Sequence, residues 1–135
     1  MAHVASIAGG YAELHCLSNF SFLRGASHPA ELVQTAAEIG YAGLALTDEC
    51  SVAGVVRAHA AAKDLPLKLV IGSEIVCDDG LKVVVLAEDR RAYSTLCALI
   101  SQARRAAVKG EYLIGRDDLH RRLQSNGLLL WLPER

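Results

Sequence analysis

The chain is predicted to fold as an α/β protein, roughly half of a βα barrel with mostly parallel strands and one β-hairpin. Three observations predict it. Short apolar runs alternate with segments of helical periodicity across short loops, the pattern of repeated βα units. The run Gly43-Leu44-Ala45-Leu46-Thr47 is apolar without alternation, as in a parallel strand covered on both faces. Two further apolar runs flank Asp78-Asp79-Gly80, a hairpin turn signal.

Residues 11–16 form the first strand and a polar loop follows through Ser27. Pro29 and Glu31 belong in the first turn of a helix, where a missing N–H costs nothing and a negative charge suits the helix dipole. Leu32, Val33, Ala36, Ala37 and Ile39 give it an apolar face, and Gly40 is a natural stop. After the strand at 43–47, Ser51 is expected to cap a helix with Val52, Val55, Val56, His59 and Ala60 on one stripe. Leu67 to Ile71 reads as a third strand, with Glu74 to Cys77 and Leu81 to Ala87 as the hairpin arms. A long amphipathic helix follows, with Tyr93, Leu96, Cys97, Ile100 and Ala103 inward. Asp117 and Asp118 open the last helix, Gly127 ends it, and Leu128 to Leu132 is the final strand. Such a sheet is either doubly wound or barrel-like.

With 135 residues, 52% of them hydrophobic and 21% charged, the chain can bury a real core and is too apolar to be disordered. A closed βα barrel takes about 250 residues, so the expectation is a flexible leader over 1–10 and a truncated N-terminal half-domain over 11–135. A net charge of −1 argues against a stand-alone nucleic-acid binder. Cys16, Cys50, Cys77 and Cys97 form no Cys-x-x-Cys pair, the usage of reduced cytoplasmic thiols. No apolar run spans a bilayer and the leader lacks a basic n-region, so neither membrane nor secretion is expected. Neither phosphate-binding glycine motif follows a strand, which removes support for nucleotide-binding versions of the fold.

Function in such folds sits at the C-terminal ends of strands. There the sequence offers His15, then Asp48 and Glu49, then Glu74. Each alone has an ordinary structural explanation; three successive strand ends bearing ligand-type side chains point to a polar site. His59 reads as a packed core residue, His28 as a residue at a helix start, Cys16 as packing on the face opposite His15, and Cys50 as the one thiol near the site. Arg104, Arg105, Lys109, Arg116, Arg121 and Arg122 read as helix-end and surface charges rather than a phosphate-binding surface.

The tracts Glu13 to Ser27, Leu46-Thr47-Asp48-Glu49 and Ile71-Gly72-Ser73-Glu74 resemble the first three motifs of the polymerase-and-histidinol-phosphatase (PHP) domain. With Val84 to Asp89 and Tyr93 to Ser101, they resemble the N-terminal part of that domain in bacterial C-family DNA polymerase III alpha subunits. Asn19 to Gly25 and Thr47 to Ser51 are similar to the error-prone, damage-tolerant branch. The departures fall on the metal ligands that the resemblance implies. The second His of the first motif is Leu17, the acidic position before its Gly is Arg24, and the His after Thr-Asp is Glu49. His15 and Glu74 remain as degenerate metal positions, Glu49 is a substitute, Asp48 a supporting group, and Arg24 a fixed charge able to pair with Glu49 or Glu74.

The resemblance implies a structural module of an error-prone DNA polymerase, with repair synthesis and magnesium chemistry in a polymerase domain outside this chain. Its partners would be the remainder of that polymerase and, through it, DNA. The resemblance implies at most weak zinc or manganese binding at this degenerate site, and no catalytic residue is assigned. The alternative is a stand-alone metal-dependent phosphoesterase using His15, Glu49 and Glu74.

Overall fold

The computed structural model describes residues 10–124 and 126–134. The expected leader, apart from Gly10, lies outside the described residues. The elements in chain order are β1 (Ala12–Cys16), α1 (Pro29–Glu38), β2 (Gly43–Leu46), α2 (Val55–Ala62), β3 (Lys68–Val76), β4 (Lys82–Ala87), α3 (Arg90–Arg105), α4 (Arg116–Leu123) and β5 (Leu128–Trp131). The strands form one sheet in the order β1-β2-β3-β4-β5, curled as half of a barrel. β1, β2 and β3 pair in parallel, and β4 lies antiparallel to both β3 and β5. Four strands therefore point one way and β4 alone runs back, as the hairpin around Asp78-Asp79-Gly80 requires.

The helices cover the sheet because strand side chains alternate. Leu44 and Leu46 of β2 pack with Val33 and Ala36 of α1 and Ala58 of α2. Val83 and Val85 of β4 meet Leu96, Leu99 and Ala103 of α3. On the opposite face Ala45, Val84 and Leu86 form a third cluster with Val70, Leu130 and Leu132. Burying each large aliphatic side chain contributes about 1.5–3 kcal/mol, so two apolar faces explain how so short a sheet holds together.

Several elements differ from the sequence expectation for local reasons. α2 begins at Val55, not at Ser51, because the Ser51 hydroxyl accepts from the Ala53 N–H in a turn of its own. The buried stripe is then Val55 and Ala58, while Val56 and His59 face solvent; His59 is not a core residue. The two strands expected over 67–77 are one, since β3 runs unbroken through Gly72 and Ser73. In α3 the fully buried positions are Ala92, Leu96, Leu99 and Ala103, a stripe that leaves Tyr93, Cys97 and Ile100 on its flank. α4 closes at Leu123, and Gln124, with φ 41°, takes the cap position ahead of Gly127.

Gly72 permits the continuous β3. A Cβ there would stand 2.6 Å from the Val85 carbonyl oxygen and 2.8 Å from Leu86 Cδ2, so the β3–β4 pairing excludes any side chain. Gly72→Ala is expected to cost about 1–3 kcal/mol, read as a lower urea midpoint. Gly80→Ala, at φ 87° but with open space around it, costs about 1 kcal/mol.

Candidate functional site

The C-terminal ends of β1, β2 and β3 meet at one place, because Glu49 continues β2 far enough to bridge Glu74. The connection between β1 and α1 folds over this place and is fastened to it by Asp48. This buried carboxylate accepts from the Ser18 N–H at 2.7 Å, the Ser18 hydroxyl at 2.7 Å and the Ser21 hydroxyl at 2.8 Å. Ser21 Oγ in turn accepts from the Glu49 N–H at 3.1 Å. Asn19 N–H donates to the Ser27 carbonyl and closes the base of the loop. Gly25 sits against Ser18, where a Cβ would overlap the backbone carbonyl. Leu23 adopts φ 62°, a left-handed conformation that non-glycine residues hold only when their surroundings impose it.

The pinned loop delivers Arg24 to the strand ends. Its Nη1 donates to Glu74 Oε1 at 2.5 Å and to Glu49 Oε2 at 2.8 Å, and its Nη2 donates to Glu74 Oε2 at 3.2 Å. His15 Nε2 lies 2.6 Å from Glu74 Oε2. Glu49 Oε1 accepts from the Tyr112 hydroxyl at 2.8 Å, and that hydroxyl accepts from the Val76 N–H at 3.1 Å. The Glu74 side chain is 0% exposed, whereas those of His15 and Arg24 are 34% and 36% exposed. One fully buried carboxylate thus lies between a guanidinium and an imidazole; Arg24 and Glu49 also line an open cavity of about 450 Å³, together with Phe20, Phe22, Arg104 and Tyr112.

Burial alone would raise the Glu74 pKa. The hydrogen bonds from Arg24 and His15 outweigh it and hold the carboxyl below its ordinary value. Pairing with Glu74 and then Glu49 raises the Arg24 pKa beyond its already high value, against the opposing effect of burial. Burial, followed by the bond to Glu49, raises the Tyr112 pKa well above that of a free phenol. Burial pushes both Cys16 and Cys50 up to about 11. Neither thiol is a ready nucleophile at neutral pH, and Cys16 packs against the helix-side cluster.

The sequence-derived residues His15, Arg24, Glu49 and Glu74 are therefore brought together. Asp48 is near in sequence but spends its oxygens on the Ser18–Ser21 loop, and Leu17 lies half-buried just past β1. His28 precedes α1 and receives a hydrogen bond from the Asn19 amide, away from the cluster. Sequence reasoning missed Ser18, Ser21 and Tyr112. The two serines were visible as the polar loop, but nothing in the order of residues places Tyr112, 63 positions from Glu49. Arg104 also has a role that helix-end reasoning did not specify, since it donates to the carbonyls of Cys50, Gly110 and Glu111.

The donor set does not fit a divalent metal. His15 Nε2 and Glu74 Oε2 are in direct hydrogen-bond contact at 2.6 Å, closer than the roughly 3.3 Å separating two ligands of a tetrahedral ion with bonds of about 2.0 Å. Both Glu74 oxygens and one of Glu49 already accept from a guanidinium, a cation that cannot be deprotonated to make room. Among the described residues no group of three or more His, Cys, Asp or Glu is arranged to hold a metal ion.

A curled half-barrel sheet with its polar cluster at the strand ends is the fold class of PHP domains. Residues 13–130 match the family model of the PHP domain, and the chain belongs to that family. It is 62% identical over 124 residues to the error-prone DNA polymerase of Methylococcus capsulatus, 60% over 127 residues to that of Dechloromonas aromatica, and 56% over 125 residues to that of Pseudomonas fluorescens. These matches cover 91–93% of this chain and 12% of each relative; the chain spans about an eighth of the length of the curated relatives it matches. Among solved structures, a metal-dependent phosphoesterase candidate from Bifidobacterium adolescentis superposes with a TM-score of 0.60 at 22% identity, over 86% of this chain and 44% of that one. An amidohydrolase from Chromobacterium violaceum, with bound sulfate and no metal, gives 0.59 at 31% identity, over 70% and 34%.

The depressed Glu74 pKa has a pH consequence. A carboxyl held lower in the folded than in the unfolded state stabilises the fold above its unfolded value, and that contribution disappears as pH falls through the folded value. Stability is expected to hold from neutral pH down to about 5 and to drop once pH passes below the ordinary value of 4.5. Chemical denaturation across pH 3–7 checks this, and Glu74→Gln should flatten the acid limb while lowering the neutral plateau.

Proposed function

We propose that this chain is the PHP region of an error-prone DNA polymerase and serves that enzyme as a structural module. In this reading His15, Glu49 and Glu74 are the remnants of a metal site whose cation is replaced by the Arg24 guanidinium. The observation that carries the proposal is the fully buried Glu74 held on both oxygens by Arg24 and on one by His15. A metal-binding carboxylate needs a cation to offset its desolvation, and here a side chain provides it. Loss of metal-assisted phosphoester chemistry at this place suits a polymerase that tolerates mismatches.

The rest of the activity belongs to the longer chain. Nucleotide addition, with magnesium held by carboxylates, would lie outside these residues, and contact with DNA would come through the parent enzyme. The remainder of the polymerase is the proposed partner. β1 and β5 are the two edges of the sheet, and Phe22, Leu23, Leu128, Leu129 and Trp131 are exposed, an apolar surface of the kind that further polypeptide covers. The four cysteines are free thiols, and no helix among the described residues is long and apolar enough to cross a membrane. A cytoplasmic location is part of the same proposal.

Metal content and stability test the proposal together. Purified protein dialysed against zinc or manganese is expected to retain far less than one equivalent and to hydrolyse no phosphate ester with manganese added. Arg24→Met should lower stability by about 2 kcal/mol, less than the loss of a fully buried partner because Arg24 is a third exposed. Stoichiometric metal together with hydrolysis that His15→Ala abolishes would overturn the proposal in favour of a phosphoesterase.

A further inference from the structure

We infer that Arg104 and Tyr112 are positioning residues for the ion cluster: together they aim the Glu49 carboxylate at Arg24. The inference rests on the reading of Arg24, Glu49 and Glu74 as a working ion cluster, and it assigns the geometry of that cluster to a segment about sixty residues away. Glu49 stands just before Cys50, whose φ of 44° is left-handed and strained for a residue with a side chain. The turn is held from one side by Cys50 N–H donating to the Glu74 carbonyl at 2.8 Å. From the other side Arg104 donates through Nε at 3.3 Å and Nη2 at 3.0 Å to the Cys50 carbonyl. The fork of its guanidinium then reaches the opposite way, with Nη1 at 3.3 Å from both the Gly110 and Glu111 carbonyls.

One arginine therefore joins the strained turn to the loop that follows α3, and that loop carries Tyr112. The Arg104 guanidinium lies 5.3 Å from the centre of the Tyr112 ring, within cation–π range. The Tyr112 hydroxyl is fixed at both ends of its hydrogen bonding, by Val76 N–H and by Glu49 Oε1. Glu49 is left with one orientation in which each oxygen has a donor: Tyr112 on Oε1 and Arg24 on Oε2. The Glu49 side chain is 30% exposed, so without these donors it is free to rotate into water, and an ion pair of that kind couples weakly. The geometry also accounts for Arg104 itself, since its fork is spent on carbonyls and is not displayed for a phosphate.

The test is a double-mutant cycle in the 135-residue chain. Denaturation of the parent, Arg24→Met, Glu49→Gln and the double variant measures the coupling between Arg24 and Glu49. The same four proteins are then made with Tyr112→Phe, which removes only the hydroxyl, and again with Arg104→Lys. The coupling is expected to fall at least twofold in both backgrounds. Lysine retains the charge, but a single ammonium cannot reach Cys50 and the 110–111 carbonyls together. A purely structural part for Tyr112 and Arg104 would lower the stability of all four proteins alike and leave the coupling unchanged, and that result overturns the inference alone. Full coupling retained by Arg104→Lys would overturn the assignment of the fork. If the parent itself shows no coupling, the ion cluster fails, and the inference with it.

Discussion

The Glu74 carboxylate is the constraint around which this half-barrel is arranged. It lies near the C-terminal end of β3 with no exposed side-chain surface, and an isolated carboxylate in that setting would cost several kcal/mol or take up a proton. The chain resolves this by converging three elements on one residue: β1 brings His15, the loop after β1 brings Arg24, and the extension of β2 brings Glu49 alongside. Each of these is held in turn, by strand pairing, by the Asp48 clamp and by the Arg104–Tyr112 link. Removing the charge of Glu74 would leave the Arg24 guanidinium and the His15 imidazole without their shared partner.

The fold explains why this convergence is possible at all. Parallel strands present successive ends at the same edge of the sheet, so residues 59 positions apart, His15 and Glu74, meet without any long loop. Among the described residues, β3 is the strand with parallel pairing on one side and antiparallel pairing on the other. Its length carries Glu74 past the end of the β2 pairing at Ile71 to a position where Glu49 can bridge it. Gly72 allows the β4 backbone to close on β3 at that level, and Leu86 and Val84 seal the sheet below the polar cluster. Packing of apolar side chains and satisfaction of one buried charge thus act on the same strand at neighbouring positions.

Much of this was legible in the order of residues. Pro29 and Glu31 marked the start of α1 and the all-apolar run of β2 marked a covered parallel strand. The ligand-type residues at strand ends marked the site, and Arg24 stood out as a cation capable of pairing with Glu49 or Glu74. What misled was local: Ser51 has the chemistry of a helix cap, but its hydroxyl closes a separate turn, which shifts the phase of α2 and turns His59 outward. What stayed hidden was long-range. A tyrosine in an irregular loop and an arginine at the end of a helix carry no periodic or motif signal, and their use depends on where α3 returns the chain.

A guanidinium is also a different kind of cation from a metal ion, and the difference bears on what such a domain does. A divalent ion offers open coordination positions where water or a phosphoryl oxygen can bind and be polarised. Arg24 offers only N–H donors, and those directed at Glu49 and Glu74 are already engaged. In the reading proposed above, the exchange keeps the electrostatic offset that the buried carboxylate needs and gives up the chemistry that depends on an exchangeable site. It also makes the cation part of the covalent chain, so stability does not vary with metal supply. The cost is rigidity in the loop that presents it, visible in the strained Leu23 and in three hydrogen bonds to Asp48. A domain in this state retains the shape of its family and a reason for its polar centre to persist, because a carboxylate buried as deeply as Glu74 needs a cationic partner.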